Sequence, residues 1–248
     1  MELRCGPRAP LGEAFAKLGL RAGPRIDVAT HPVWDLRTSR VVEWILFLAE
    51  RRRVWWWHSG VPCTDFSVAR HPTVRTHDFP WGFSPKDDDR RGPNFMLAVV
   101  GLLAITLVRV KFGVLVHEHP ASAHSWAIPF WRWFEKLPDA EMGRYCACSF
   151  GAPYRKDTRL ARLRASCLRS LDRMCSCPGP HAVQLSGSET TRAAEYLPRF
   201  CREYAEAAAA AFHADPPSLG AAEAVAMNAG APPVYETVWL NELLRCLS

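Results

Sequence analysis

The residues of this chain best suited to covalent chemistry lie just after a predicted buried strand. Pro62-Cys63-Thr64-Asp65-Phe66-Ser67 follows an apolar, Trp-rich run that ends at His58. Cysteine is a strong nucleophile near neutral pH because part of its thiol population is already ionised. A cysteine in a loop at the end of a strand can therefore add to an electron-poor carbon of a substrate. An inert loop thiol is the alternative.

A second candidate group stands at the end of the next predicted strand. Glu118 lies in His117-Glu118-His119-Pro120, directly after the apolar run Phe112–His117. A carboxyl group there can transfer a proton or bind the polar edge of a heterocycle; a carboxylate held by a helix N-terminus is the alternative. Because the carboxyl ends of parallel strands meet at one edge of a sheet, we expect Cys63 and Glu118 to face one cleft.

These two sites resemble motifs of one enzyme family. Pro62-Cys63-x-x-Phe66-Ser67 is similar to the nucleophile loop of the cytosine-5 DNA methyltransferases, and Glu118 stands where that family has Glu-Asn-Val. The resemblance implies that the cysteine adds to carbon 6 of cytosine while the glutamate binds ring nitrogen 3 and the exocyclic amine. It also implies a substrate loop formed by Thr64, Phe66 and Ser67.

A basic segment follows the next predicted strand, Gly143–Phe150. Phe150-Gly151-x-Pro153 and the residues after it are similar to the family's Gly-x-Pro-Gln-x-Arg-x-Arg segment. Tyr154 stands at the Gln, Lys156 at the first Arg and Thr158 at the second. The resemblance thereby implies three cations at the catalytic end of the site: Arg155, Lys156 and Arg159.

The resemblance implies S-adenosyl-L-methionine as cofactor. The family opens with Phe-x-Gly-x-Gly, and this chain has Gly6 at one of those glycines and Arg8 at the other. Asp27 resembles the acid that binds the ribose hydroxyls, and Asp35 the acid beside the adenine; turn or capping roles are the alternatives for all three positions. The implied cofactor-binding residues are Gly6, Asp27, Asp35 and Pro62.

Short strands alternate with longer helices along the chain. The predicted strands are Arg25–Val28, Val54–Trp57, Phe112–His117 and Gly143–Phe150. The predicted helices are Pro10–Leu20, Arg40–Glu50, Asn94–Arg109, Ser125–Lys136 and Thr190–Phe212. This alternation predicts an α/β fold whose mostly parallel sheet has helices on both faces. The resemblance narrows this to the Rossmann-like fold of S-adenosylmethionine-dependent methyltransferases.

The family resemblance also divides the chain. Residues 1–212 are predicted to form a methyltransferase-like domain, in which 160–188 is a short insert where the family has a target-recognition domain. Residues 213–248 are predicted to be a Pro/Ala-rich tail with a C-terminal helix. The chain is thus identified as a compact, divergent member, and the expected partner is a nucleic acid, DNA or RNA, whose target cytosine is single-stranded or already flipped out.

Composition bounds the partners and the compartment. The 248 residues are 48% hydrophobic and 23% charged, which excludes a wholly disordered chain or a collagen-like fibre. A net charge of +6 permits a phosphate-bearing partner without requiring one.

The loop 70–91 is predicted to be a lid over the substrate, in which Arg75 and other basic residues face phosphates; a solvated loop is the alternative.

The cysteines and the apolar runs predict where the protein resides. An odd count of nine cysteines, and a start that does not look like a secretory leader, predict an intracellular protein, nuclear or cytoplasmic, with free thiols. The longest apolar run, Phe95–Val108, is shorter than the roughly 20 residues needed to cross a bilayer, so we expect a buried helix and no membrane partner.

Two alternatives remain open. The first concerns four residues that can bind a metal and lie close together in the sequence: Cys167, Cys175, Cys177 and His181. Cys148 could take the place of Cys167. Their spacing fits no standard zinc module, so ordinary thiols are favoured and no metal is predicted. The functional alternative is a catalytically decayed methyltransferase-like domain, inherited from a mobile element, that binds nucleic acid or protein without turnover.

Overall fold

Six strands form a single sheet. The computed structural model describes residues 1–3, 9–84, 88–186, 190 and 193–217. The strands are β1 (Glu2–Leu3), β2 (Arg25–Ile26), β3 (Trp56–Ser59), β4 (Val114–Pro120), β5 (Ala140–Cys146) and β6 (Asp157–Leu163). The helices are α1 (Pro10–Lys17), α2 (Ser39–Glu50), α3 (Asp88–Val110), α4 (Pro129–Phe134) and α5 (Pro198–Ala214).

The strand order is β2-β1-β3-β4-β6-β5. Strand β1 pairs in parallel with β2 and β3, and β3 pairs in parallel with β4. Strand β6 runs antiparallel to both β4 and β5, so it alone is reversed. The prediction of an α/β fold with a mostly parallel sheet is therefore confirmed.

Two hydrophobic cores lie on opposite faces of this sheet. Trp57 and Leu115 belong to the core under α2, α3 and α4, whereas Trp56 and Val116 belong to the core under α1 and α5. Neighbouring residues of a strand point to opposite faces, so strands covered on both sides read as continuous apolar runs. This is why the Trp-rich and Val-rich runs of the sequence mark β3 and β4.

The long apolar helix α3 is a core element. Its window Arg91–Val110 is long and apolar enough to cross a membrane, and 67% of that window is buried inside the fold. Leu103, Ala104 and Leu107 are fully buried. The expected buried helix is confirmed, although α3 begins at Asp88, six residues before the predicted start.

Several predicted boundaries are wrong. The helix predicted over Ser125–Lys136 is a short 3-10 helix, His124–Ala127, followed by α4. The strand predicted over Gly143–Phe150 ends at Cys146, and the 3-10 helix Ala147–Phe150 follows it. Helix α5 begins at Pro198 rather than at Thr190.

Strand β6 was not predicted, although it holds the sheet together between β4 and β5. It contains Arg159 and Arg162, whose charges hide the apolar alternation that marks a strand. The side chain of Arg162 is nevertheless buried, because Asp172 and Glu141 neutralise its guanidinium. The first residues of the segment predicted as an insert, 160–163, thus lie in β6. The predicted C-terminal helix lies outside the described residues.

Candidate active site

The order of the strands reverses between β1 and β3. In open α/β sheets, ligands bind at such a switch point, in the crevice beyond the carboxyl ends of the strands. The loop after β3 carries Cys63 to this edge, and the next parallel strand, β4, brings Glu118 to it. The loop after β1, including the predicted cofactor glycine Gly6, lies outside the described residues.

Cys63 lies between β3 and the 3-10 helix Thr64–Phe66. The backbone carbonyl of Cys63 accepts a hydrogen bond of 3.0 Å from the N–H of Phe66, and its side chain is half-buried. Burial raises the pKa of the Cys63 thiol; the ammonium of Lys156 opposes that shift, and the carboxyl of Glu118 adds to it. The thiol is therefore within electrostatic reach of both groups.

Glu118 is almost completely buried, at 8% exposure. Burial raises the pKa of its carboxyl group, and Lys156 and a hydrogen bond from Tyr196 oppose the shift. The structure thus brings together three residues from separate elements: Cys63, Glu118 and Lys156. A nucleophile, an acid whose pKa is raised by burial and a cation can together activate a polar heterocycle.

A directed chain of hydrogen bonds ends at Glu118. The indole nitrogen of Trp56 donates to the Tyr204 hydroxyl (3.0 Å), which lies 3.1 Å from Nδ1 of His58. Nε2 of His58 lies 2.8 Å from the Tyr196 hydroxyl, which donates to Glu118 Oε2 at 3.3 Å. Since an indole can only donate, each hydroxyl receives one hydrogen and passes one on when His58 carries its proton on Nε2.

Burial keeps His58 neutral, as this chain requires. Its imidazole is 1% exposed, and burial lowers its pKa to about 3. A neutral imidazole has one donor and one acceptor, which matches the two tyrosine hydroxyls on either side. The strand end at His58 was visible in the sequence, but no local pattern indicated Tyr196 or Tyr204, because 138 and 146 positions separate them from their histidine.

Gly60 lets the β3 loop approach this chain. A Cβ atom at Gly60 would stand 2.7 Å from the hydroxyl oxygen of Tyr196 and 3.7 Å from Glu118 Oε2. The first distance is shorter than any ordinary contact, so only glycine fits without a shift. The backbone of the nucleophile loop therefore packs directly against the acid.

The nucleophile loop is anchored by a buried arginine. Arg75 is 1% exposed, and its guanidinium lies 4.1 Å from the ring centroid of Phe66. It pairs with Asp65 at 3.0 Å and donates to Asn94 Oδ1 at 2.6 Å. The prediction that Arg75 faces phosphates is wrong, because these partners enclose its charge. Phe66 also packs edge-on against His119, at 5.4 Å between centroids.

The other predicted loop residues have smaller roles in the described structure. Thr64 is exposed, and Pro62 is half-buried next to Cys63. Ser67 accepts a hydrogen bond of 3.2 Å from the N–H of Ala69, which is a local turn contact. Phe66 therefore supports the loop from below, whereas Thr64 faces solvent.

Only one of the three predicted cations reaches the site. Lys156 donates to the carbonyl of Ala193 at 2.8 Å beside the candidate nucleophile. Arg155 is exposed and pairs with Asp157 at 3.1 Å.

Arg159 lies on the other face of the sheet. It is paired in register with His119, so it shares the face of that residue, opposite Glu118. Its guanidinium lies 3.3 Å from Glu135 and over the ring of Trp126. A position directly opposite Glu118 is taken by Leu160 instead.

A small pocket opens next to Lys156, beyond the hairpin of β5 and β6. Its cavity volume is about 20 Å³, which is room for about one water molecule. Its lining combines aromatic rings with polar groups, including an ammonium and a carboxyl group: Tyr145, Tyr154, Lys156, Thr158, Glu195, Tyr196 and Phe200.

The predicted cofactor acids lie at the β2 end of the same edge. Asp27 is 5% exposed directly after β2 and accepts a hydrogen bond of 2.8 Å from the N–H of Ala29. Val28, the next residue, is 37% exposed, and Val33 in the following 3-10 helix is 49% exposed. Asp27 is thus a buried acid next to an exposed apolar side chain.

Asp35 is engaged with its own loop. It accepts hydrogen bonds of 2.9 Å and 2.8 Å from Nε and Nη2 of Arg37. This bidentate pair, which is largely exposed, is a local turn contact. Asp27 is therefore the better placed of the two acids for a ribose.

The metal-binding candidates divide between two places. Cys175, Cys177 and His181 lie together with Cys148. Cys167 lies elsewhere, in the 3-10 helix Ser166–Leu171, against the core that contains α5.

Comparison of the chain with protein-family models, with curated proteins and with solved structures gives no match. The arrangement of the described residues is therefore the basis for a functional assignment.

Proposed function

We propose that this chain transfers a methyl group from S-adenosylmethionine to carbon 5 of cytosine in nucleic acid, with Cys63 as nucleophile. The observation that carries the proposal is the joint position of Cys63, Glu118 and Lys156 at the switch-point edge of the sheet.

The charges of the site suit attack on a pyrimidine. Once Cys63 has lost its thiol proton to water, its sulfur forms a bond to carbon 6. The π electrons of the 5,6 double bond form a 4,5 double bond, and those of the 3,4 double bond move to ring nitrogen 3, which takes the proton of Glu118. Burial raises the pKa of Glu118, which favours the protonated form that donates here. Lys156 stabilises the thiolate that Cys63 must become.

The cofactor supplies an electrophilic methyl group when it is bound. In this proposal Asp27 binds its ribose hydroxyls, which its position directly after β2 supports, and the exposed side chain of Val28 flanks its adenine. After methylation, loss of the proton on carbon 5 to water expels Cys63 as a thiolate. Nitrogen 3 then returns its proton to Glu118, which restores the site.

The substrate is expected to present an unstacked base. Only residues 164–197 separate β6 from α5, and their described part is taken up by a 3-10 helix and a cysteine-rich stretch that packs on the hairpin of β5 and β6. This leaves little surface to open a duplex or to contact base edges. A single-stranded segment of DNA or RNA, attracted by the net positive charge, meets that constraint.

A second candidate, binding without turnover, is favoured by one observation. The Tyr196 hydroxyl already occupies Oε2 of Glu118, and burial raises the pKa of Cys63, so the resting site holds a thiol and an engaged acid. Such a domain would bind a pyrimidine nucleotide in nucleic acid and leave it unchanged.

Cofactor binding is the first test. Calorimetry with S-adenosylmethionine should give a saturable heat, and Asp27→Ala should weaken it. An absence of binding at millimolar cofactor would contradict the enzymatic proposal. The second candidate, binding of nucleic acid without turnover, would then remain.

Covalent trapping is the second test. With S-adenosylmethionine present, a single-stranded oligonucleotide with 5-fluorocytosine is methylated at carbon 5 but keeps a fluorine where the proton must leave, so the adduct with Cys63 persists on a denaturing gel. Wild type and the control Cys167→Ala should form this adduct, and Cys63→Ala should not. Binding of the oligonucleotide without an adduct would support the second candidate.

A further inference from the structure

Four potential metal ligands from two separate parts of the chain converge beside the hairpin of β5 and β6. Cys148 lies in the 3-10 helix after β5, Cys175 and Cys177 follow the 3-10 helix Ser166–Leu171, and His181 comes four positions later. One ligand atom from each lies within 4.8 Å of every other. This cluster is separate from Cys63 and from the residues of the candidate active site.

The distances suit a tetrahedral zinc ion. Zinc binds thiolate sulfur at about 2.3 Å and imidazole nitrogen at about 2.0 Å, so a tetrahedral sulfur–nitrogen edge is about 3.6 Å. The Sγ of Cys175 lies 3.5 Å from Nε2 of His181. Three cysteines and one histidine are also a standard ligand set for structural zinc.

We propose that Cys148, Cys175, Cys177 and His181 bind one Zn²⁺ ion in a closed structural site. All four tetrahedral positions are filled by side chains, which leaves none for water or a substrate. The Arg155 guanidinium lies within electrostatic reach of Cys175, where it offsets the net negative charge of three thiolates and one Zn²⁺.

The ion would attach a largely exposed segment to the sheet. Most of residues 172–186 are exposed, but Asp172 pairs with Arg162 at 2.8 Å, and Val183 packs against the buried cluster that contains Tyr154. Backbone groups add two contacts with the hairpin: the Arg173 carbonyl accepts from the Cys146 N–H at 2.8 Å, and Val183 donates to the Pro153 carbonyl at 3.0 Å. The ligands of this segment lie between Arg173 and Val183, so a metal cross-link to Cys148 would hold the chain between these two contacts.

The cross-link has a consequence for the neighbouring connection between β5 and β6. That connection contains Tyr154, which pairs with Val183 in an isolated bridge, and Lys156 two residues later. Holding Val183 and Cys148 in place therefore holds the backbone that carries Lys156. Zinc would act on the active site only through this positioning.

Metal content tests the proposal directly. The full chain, purified without a histidine tag in reducing buffer, should contain about one zinc per molecule by mass spectrometry of the metal. Cys177→Ser and His181→Ala should lose most of it. Cys177 is exposed, so its replacement leaves the packing intact. Cys167→Ser is the matched control and should retain the metal.

Cobalt provides a second measurement that does not depend on the metal acquired during expression. Co²⁺ added to the metal-free chain should give visible bands of a tetrahedral site with thiolate charge transfer, and Zn²⁺ should displace them. If the reduced chain takes up neither metal, if Cys177→Ser binds as much as wild type, or if these thiols form disulfides instead, the proposal is wrong. The result is independent of methyl transfer.

Discussion

The hydroxyl of Tyr196 donates a 3.3 Å hydrogen bond to Oε2 of Glu118, across 78 positions of sequence. Tyr196 stands just before α5, and Glu118 lies near the end of β4. The contact joins the helical layer on one face of the sheet to the acid at its functional edge. Because Tyr196 also contacts His58, the orientation of the acid depends on β3, β4 and the start of α5 together.

The space between Gly60 and Tyr196 gives a first prediction. Gly60→Ala should destabilise the protein by about 1–3 kcal/mol, because its Cβ would lie 2.7 Å from the tyrosine hydroxyl. Tyr196→Phe should cost about 1–3 kcal/mol, because it leaves the His58 donor unpaired. In the double variant the clash is removed. Its loss of stability should therefore be smaller than the sum of the two single losses by about 1 kcal/mol or more. Urea unfolding of the four proteins measures this coupling, and additive values would show that the loop does not pack as described.

The raised pKa of Glu118 gives a prediction with a defined sign. The folded state binds this proton more tightly than the unfolded chain does, so its contribution is fully present below the unfolded pKa of about 4.3 and is lost as pH rises through the folded pKa. Glu118→Gln removes the titration. The variant should therefore gain stability relative to wild type as pH rises, by about 1.4 kcal/mol for each pH unit that separates the folded pKa from the unfolded one.

Unfolding midpoints between acidic and mildly basic pH measure that difference. Glu135→Gln, which replaces a half-exposed carboxylate on the other face, is the control and should show little change with pH. If the difference in stability between Glu118→Gln and wild type is constant across this pH range, folding does not raise the pKa of Glu118.

Local patterns in the sequence located part of the site and missed the rest. Cys63 and Glu118 were predictable because each directly follows a continuous apolar run, and such runs mark buried parallel strands. Strand β6 was missed because Arg162 is buried through its ion pairs, which depend on partners from β5 and from the stretch after β6. The role of Tyr196 was missed because its partners are distant in sequence and become neighbours only in the folded sheet.

The predicted cations Arg155, Lys156 and Arg159 illustrate the same limit. Three neighbouring cations were predicted at the site; Arg155 and Lys156 precede β6, whereas Arg159 lies within it. Arg159 points to the face opposite Glu118, and Arg155 pairs with Asp157 in solvent. Which cation faces the thiol depends on where β6 begins, and no motif in the sequence marked that boundary.

The buried ion pair beneath the nucleophile loop gives a third prediction. Arg75→Met should destabilise the protein by about 1–3 kcal/mol, because Asp65 would keep only its other ion-pair partner, Arg70, and the buried Asn94 Oδ1 would lose this donor. Arg37→Met removes the partner of Asp35, but this arginine is 60% exposed, so a change of about 0–1 kcal/mol is expected. Thermal and urea unfolding compare the two variants. Equal, small effects would mean that Arg75 is not what holds Phe66 and the loop in place.

The reactivity of the Cys63 thiol gives a fourth prediction, in which two variants change the rate in opposite directions. Lys156→Met removes the cation that stabilises the thiolate, so the pKa of Cys63 should rise further and alkylation by iodoacetamide at pH 8 should slow several-fold. Glu118→Gln removes a negative neighbour and should speed it. Arg155→Met is the matched control, since that arginine is exposed and paired with Asp157. Mass spectrometry of the Cys63 peptide over time gives each rate. Equal alkylation rates in Lys156→Met and Arg155→Met would show that Lys156 does not stabilise the Cys63 thiolate. The proposed attack on cytosine depends on that stabilisation and would then be contradicted.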